Sequence, residues 1–254
     1  MIDLHEKKGL IVGIANRDSI AWGCARAARN AGAQLALTYL NEKARPHVAP
    51  LADELGAEML LPLDVETPGQ LEEAFAAVAS RWGRLDFLVH SIAFAPAADL
   101  RGRVVDCSLT GFERAMRVSC YSLIEMARLA EPLMHDGGTI VTMTFGGADR
   151  VVPNYNLMGP VKAALQSTVR YLADELGPRG ICVHAVSPGP LRTRAASGLG
   201  EFDKLLGDAA TRSPLRRLVT VEEVGSTAAF LLSDGARGLT GDTIHVDAGR
   251  HAVC

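Results

Sequence analysis

No apolar run in the chain approaches the ~18 residues of a membrane-spanning helix, so a membrane is not an expected partner. The amino end, MIDLHEKKGLIVGI, enters a strand-like run without the cleavage region of a signal peptide, and the expected location is cytoplasmic. Five cysteines, Cys24, Cys107, Cys120, Cys182 and Cys254, are scattered, odd in number and without a Cys-x-x-Cys pair, which speaks against zinc or dithiol redox chemistry. The seven histidines include no pair at metal-ligand spacing, and His90, His184 and His245 fall inside apolar runs. No protein-built metal site is expected. Lysine and arginine number 26 against 29 acidic residues, a formal charge of −3 that leaves no basic surplus for nucleic acid. Internal repeats, low-complexity tracts and Pro/Gly/Ser linkers are also missing, so a second domain has nowhere to start.

What remains is 254 residues, 48% apolar and 22% charged, an ordinary composition for one globular unit. At this length ~73% of the unfolded chain's surface can be buried. Seven short, near-continuous apolar runs punctuate the chain: GLIVGI (9–14), AQLALTY (33–39), EMLLPL (58–63), LDFLVHS (85–91), GTIVTMT (138–144), ICVHAVS (181–187) and DTIHV (242–246). Continuous rather than alternating hydrophobes are expected of strands covered on both faces. Between them lie helical stripes such as Leu71, Phe75, Val78, Ala79 and Trp82. The alternation predicts an α/β fold, a Rossmann-like doubly wound parallel sheet of seven strands with helices on both faces, in one domain over 1–254.

Ligands of such sheets bind beyond the carboxyl ends of the strands. After the first run, Gly13 permits a tight turn, and Asp18 or Ser19 can cap a helix whose first N–H groups would face a pyrophosphate. The usual Gly-x-Gly-x-x-Gly is absent, and an ordinary strand–turn–helix junction fits the spacing of Gly13 and Gly23 equally well. After the second run the chain reads Tyr39-Leu40-Asn41-Glu42-Lys43, with no acid at the strand end to repel a 2′-phosphate. Lys43 and Arg45 either reach such a phosphate or are solvated charges. Asp64 could accept from an adenine amino group or cap a helix.

The fifth run ends in Met143-Thr144-Phe145, and the segment Tyr155-Asn156-Leu157-Met158-Gly159-Pro160-Val161-Lys162 follows. Pro160 is tolerated only in a first helical turn, which places the helix start near Leu157 and Tyr155 just outside it. A tyrosine hydroxyl can donate to an oxygen that gains charge, with a nearby ammonium assisting. Spacing alone favours a loop tyrosine and a helix-surface lysine.

Together, GIANRDSIAWG, TYLNEK, LDV, VHSIAFAP, PNYNLMGPVKA, SPGPLRTRAASGL and GDTIHVDAG closely resemble the bacterial enoyl-acyl-carrier-protein reductases, a divergent branch of the short-chain dehydrogenase/reductases marked by Tyr-x6-Lys. The resemblance runs along essentially the whole chain. It implies reduction of the trans-2 double bond of an enoyl thioester in fatty acid biosynthesis, with NADH as cofactor and NADPH possible. It implies that Gly13, Ser19 and Ile20 face the pyrophosphate, Asp64 and Val65 the adenine, and Ser91, Ile92 and Ala93 the adenosine-side ribose and cleft. Lys162 would hold the nicotinamide ribose, and Leu191 and Thr193 the carboxamide and phosphates. Tyr155 would polarise the thioester carbonyl, with Ala95, Phe145, Met158 and Phe202 beside the substrate and a flap at about 193–210 over the acyl chain. The substrate partner would be a thioester of acyl carrier protein or coenzyme A. A homotetramer would form through the stretches 111–133 and 162–176.

Two departures stand out. Phe145 occupies the place of the family's second tyrosine, and the flap stretch Gly200-Glu201-Phe202-Asp203-Lys204 keeps one basic residue for docking an acidic carrier. Arg192, Arg194, Arg212, Arg216 and Arg217 are candidates to replace the lost charge. Phe145 leaves two alternatives, a relative that reduces another enoyl or carbonyl substrate and a non-catalytic NAD(P)-binding protein. Met158 disfavours the carbonyl reductase, because such an enzyme would place tyrosine four residues before Lys162.

Overall fold

A computed structural model describes residues 2–193 and 200–253. Seven strands form one parallel sheet: β1 (Lys8–Val12), β2 (Gln34–Tyr39), β3 (Met59–Pro62), β4 (Phe87–His90), β5 (Gly138–Met143), β6 (Ile181–Pro188) and β7 (Thr243–Val246). Their spatial order is β3-β2-β1-β4-β5-β6-β7. The order reverses between β1 and β4, whose register pairs Ile11 with Val89 and Val12 with His90, and this is the switch point where such sheets open a crevice. Each expected apolar run overlaps its strand, and the ends differ by no more than two residues. β1 stops at Val12 because the backbone of Gly13 turns to a φ of 111°.

Helices cover both faces. One face packs α3 (Gln70–Trp82), α6 (Ser122–Ala130) and α7 (Met158–Leu176) on the sheet through Phe75, Val78, Leu123, Met126, Leu165 and Val169. The other packs α1 (Ile20–Asn30), α2 (Arg45–Leu55) and α9 (Val221–Leu231) through Trp22, Val48, Leu51, Val224 and Leu231. Helix α9 opens on a capping box in which the Thr220 hydroxyl accepts from Glu223 N–H and the Glu223 carboxylate accepts from Thr220 N–H. Smaller helices α4 (Ala97–Arg101), α5 (Leu109–Met116) and α8 (Phe202–Arg212) lie toward the carboxyl edge, and a π turn over Arg117–Tyr121 joins α5 to α6. No described helix is long and apolar enough to cross a membrane.

Gly23 sits in α1 rather than in the cofactor turn. A Cβ there would stand 2.2 Å from the Val221 carbonyl oxygen, and one on Gly225 would stand 2.2 Å from the Gly23 carbonyl oxygen. The backbones of α1 and α9 touch at this crossing, which only glycine permits.

Candidate active site

The ends of β1, β4, β5 and β6 bring their exit loops together at one edge of the sheet. Gly13 is fixed by two constraints, its positive φ and the Ser91 carbonyl oxygen, which a Cβ would approach to 2.1 Å. Ser19 is the N-cap of α1 by position, but its hydroxyl accepts from the N–H groups of Ala15 and Asn16, each at 3.0 Å, and donates to Asn16 Oδ1. Ser19 therefore shapes the turn, while the first N–H groups of α1, beginning at Ile20, have no intrahelical partner and suit an anion. A cleft of about 430 Å³ lined by Arg17, Asp18, Trp22, Leu191 and Arg192 opens beside this turn. Leu191 also packs into the α1/α9 core, and the Thr193 N–H donates to its carbonyl at 2.8 Å.

At the adenosine end, Asp64 is half-buried and caps its own turn rather than α3, accepting the Glu66 N–H at 3.0 Å, while α3 begins after Gly69. Val65 is buried and Ala93 is exposed, with Ser91 and Ile92 between these extremes. Past β2, Leu40 is exposed and Arg45 is drawn to Glu42 at 3.7 Å and over the Tyr39 ring, whose hydroxyl donates to Glu42 at 2.9 Å. Arg45 is thus engaged by Glu42.

The expected catalytic pair, Tyr155 and Lys162, gathers around the exit of β5. Lys162 is buried in the first turns of α7 and donates from Nζ to the Met143 carbonyl at 2.7 Å. Burial lowers its pKa to about 8, slightly opposed by Cys120. Tyr155 lies outside α7, as Pro160 requires, held by Tyr155 N–H to the Val152 carbonyl between two left-handed asparagines, Asn154 (φ 62°) and Asn156 (φ 42°). Such conformations concentrate at functional sites. Asn156 donates to the Leu100 carbonyl at 2.8 Å and ties this segment to α4. Burial raises the Tyr155 pKa well above its ordinary value, so the hydroxyl stays protonated and available as a donor.

An apolar cluster surrounds Tyr155: Met158, Leu157, Val161 and Ala115, with Ala95, Leu100 and Phe145 packed on it. Four of the expected substrate residues, Ala95, Phe145, Tyr155 and Met158, therefore meet. Phe202 does not join them among the described residues, lying half-buried at the start of α8. The flap expectation falls partly on residues 194–199, outside the described residues. Arg194 lies there too. Of the other arginines expected to meet a carrier, Arg192 pairs with Asp203, Arg212 with Asp208 and Arg217 with Glu223, while Arg216 donates to the Thr211 and Ser213 carbonyls.

Sequence reasoning missed the buried support of the site. His90 lies between Thr142 Oγ1 and Ser122 Oγ, each at 2.8 Å. Ser122 gives its proton to the Val118 carbonyl, so His90 donates from Nε2 and accepts at Nδ1. Burial, with Lys162 nearby, drives its pKa down to about 3. Also unforeseen, folding brings His245, Asp247 and His251 together with possible ligand atoms within 4.8 Å of one another. The Asp247 carboxylate accepts the Gly249 and His251 N–H groups, and the two rings stack at 4.1 Å and 13°, so their in-plane lone pairs run parallel rather than converging.

Residues 13–251 match the family model described as enoyl-(acyl carrier protein) reductase. The chain is 47% identical to the NADH-dependent enoyl-[acyl-carrier-protein] reductase of Rickettsia felis, covering 97% of this chain and 95% of that protein. It is 48% identical to enoyl-[acyl-carrier-protein] reductase [NADH] 2 of Rhizobium meliloti, covering 97% and 92%. Among solved structures, the Bacillus cereus reductase with NADP+ and indole naphthyridinone superposes with a TM-score of 0.97 at 46% identity over 100% of both chains. The Anaplasma phagocytophilum reductase in complex with NAD gives 0.95 at 48% identity over 98% of this chain and 95% of that one. With a seven-stranded doubly wound sheet and a Tyr155–Lys162 pair at the exit of β5, the chain belongs to the enoyl-(acyl carrier protein) reductase family.

Proposed function

We propose that Tyr155 and Lys162 carry out, in this chain, the NADH-dependent reduction of the trans-2 double bond of an enoyl thioester. The observation that carries this reading is the β5 exit, where a buried ammonium sits on the Met143 carbonyl and a protonated tyrosine stands in an apolar cluster, its hydroxyl without a hydrogen-bond partner among the described residues. The residues fit a dinucleotide: α1 offers its first amides after a turn that Gly13 alone allows, and Asp64 keeps one carboxylate oxygen clear of its own turn. Gly13, Ser19, Ile20, Asp64, Val65, Ser91, Ile92, Ala93, Lys162, Leu191 and Thr193 would hold it. When bound, reduced nicotinamide supplies a hydride to the β-carbon of the substrate.

Tyr155 donates to the thioester oxygen, where negative charge grows as an enolate forms, before the α-carbon takes a proton from solvent. Such a donor acts on the developing oxyanion more than on the neutral carbonyl. Lys162 holds the ribose hydroxyls and adds its positive charge. Ala95, Phe145 and Met158 give the acyl chain an apolar wall, and Phe202 would reach it on a flap at about 193–210.

The substrate carrier is acyl carrier protein, with coenzyme A thioesters accepted. Because the rim arginines are engaged by neighbours, association with an acidic carrier is slow rather than chemistry impaired. The exposed apolar residues Tyr121, Ile124 and Tyr171 on α6, α7 and the π turn support a homotetramer, and absence of a membrane-length helix among the described residues supports a cytoplasmic location. The test follows NADH absorbance on adding a trans-2-enoyl thioester, with a β-ketoacyl thioester as control. Enoyl-dependent oxidation that is lost in Lys162→Ala and falls about a hundredfold in Tyr155→Phe is expected, one oxyanion donor contributing roughly 3 kcal/mol. Turnover of the ketoacyl thioester alone would falsify the assignment, and sedimentation would read the tetramer.

A further inference from the structure

Two loops border the adenosine end of the cleft, residues 64–66 after β3 and 91–94 after β4, and side chains from α5 and the π turn hold both. Arg114 donates from Nε and Nη2 to the two carboxylate oxygens of Glu66 at 2.7 and 2.8 Å. Its guanidinium carbon stands 4.5 Å from the centre of the Phe94 ring. Arg117 donates to the Val65 carbonyl at 3.3 Å. Ser119, fully buried, accepts the Phe94 N–H at 2.9 Å and donates to the Phe94 carbonyl at 3.1 Å. Asp64 accepts the Glu66 N–H, so the carboxylate assigned to adenine and the one gripped by Arg114 belong to a single turn.

A solvent-facing ion pair contributes little to global stability, and both partners here are partly exposed. The fork geometry has a different value: a planar guanidinium that is bidentate on one loop and stacked on the ring of another leaves neither loop free to slide. We propose that Arg114 is a positioning residue for the adenosine half of the cofactor, locking the β3 and β4 exit loops together so that Asp64 and Val65 meet the adenine. This rests on the assignment of those two residues to the adenine under the proposed function.

The experiment measures the NADH dissociation constant, the inhibition constant of AMP and kcat at saturating NADH for wild type, Arg114→Met, Arg114→Lys and Glu66→Gln. The expected result is a five-fold or larger weakening of NADH and a matching weakening of AMP in Arg114→Met and Glu66→Gln, an intermediate loss in Arg114→Lys, and kcat changed less than two-fold. Dissociation and inhibition constants that stay within two-fold of wild type overturn the proposal. So does a fall in kcat and melting temperature that leaves AMP binding untouched. Inosine monophosphate, which lacks the adenine amino group, separates the two readings in the wild-type protein. If it inhibits as well as AMP while Arg114→Met still weakens both, Asp64 does not read the amino group and the role of Arg114 stands.

Discussion

The Phe145 ring lies 4.8 Å from that of Tyr155 and tilted by 57°, an offset contact within the apolar cluster around Tyr155. Where the family carries a second tyrosine, this chain keeps the ring and so keeps the packing that orients Tyr155. Phe145→Tyr adds one hydroxyl beside the substrate without changing that contact. It is expected to alter KM for the enoyl thioester, with kcat changed by less than about five-fold, the worth of roughly one ordinary hydrogen bond. Steady-state kinetics on thioesters of different chain length check it, and a large rise in kcat would show that Tyr155 alone does not carry the polarisation.

Lys162 sets an alkaline limit. Burial depresses its pKa to about 8, so the ammonium form, to which ribose binding is assigned under the proposed function, is complete well below that pH and lost as pH rises through it. The rate should therefore decline above about pH 8, and the same decline should appear in the cofactor dissociation constant. Tyr155 cannot be its cause, because burial pushes that pKa upward and away from the range. A rate that is flat to pH 10 would mean that the ammonium stays charged in the loaded site or is not needed, and Lys162→Ala separates the two.

Gly147 is a steric test of the tyrosine's placement. A Cβ at this position would stand 2.3 Å from Cδ1 of the Tyr155 ring. Gly147→Ala should displace the hydroxyl by a fraction of its own diameter or more, and misplacements on this scale cost on the order of a hundredfold in rate. The NADH dissociation constant should stay near wild type, since Gly147 faces the substrate side. Equal damage to cofactor binding would mean that the whole β5 exit had moved.

Glu42 is expected to bias the choice of dinucleotide through Arg45. The carboxylate draws Arg45 to 3.7 Å and accepts the Tyr39 hydroxyl, so a 2′-phosphate would meet an acid before it met a free guanidinium. Glu42→Gln should improve the NADPH/NADH ratio of kcat/KM by a few-fold, on the scale of one exposed ion pair. Comparing the two cofactors in the same preparation decides it.

The strands were legible because each announces itself locally, whereas Tyr155 and Lys162 were singled out only by the family resemblance. Continuous hydrophobes mark buried parallel strands, and Pro160 placed the start of α7 to within a residue of Met158. Features built from distant segments were not legible. Gly23 looked like part of a cofactor turn because its partner, Gly225, lies two hundred positions away and no periodicity connects them. That the Ser19 hydroxyl also ties down the N–H groups of Ala15 and Asn16 was not legible either, a choice between equally polar partners that only the turn geometry makes. The His90 network and the Arg114 grip likewise join loops whose proximity arises from sheet order rather than from any motif.

The contact of Gly23 with Gly225 also bears on which sequences this fold tolerates. Each added Cβ would meet backbone of the opposite helix rather than a side chain that could swing aside, so no change in a neighbouring side chain compensates for alanine at either position. The first cofactor turn leads directly into α1, and a crossing forced apart at Gly23 is therefore felt at Ser19 and Ile20, although neither glycine lies in that turn.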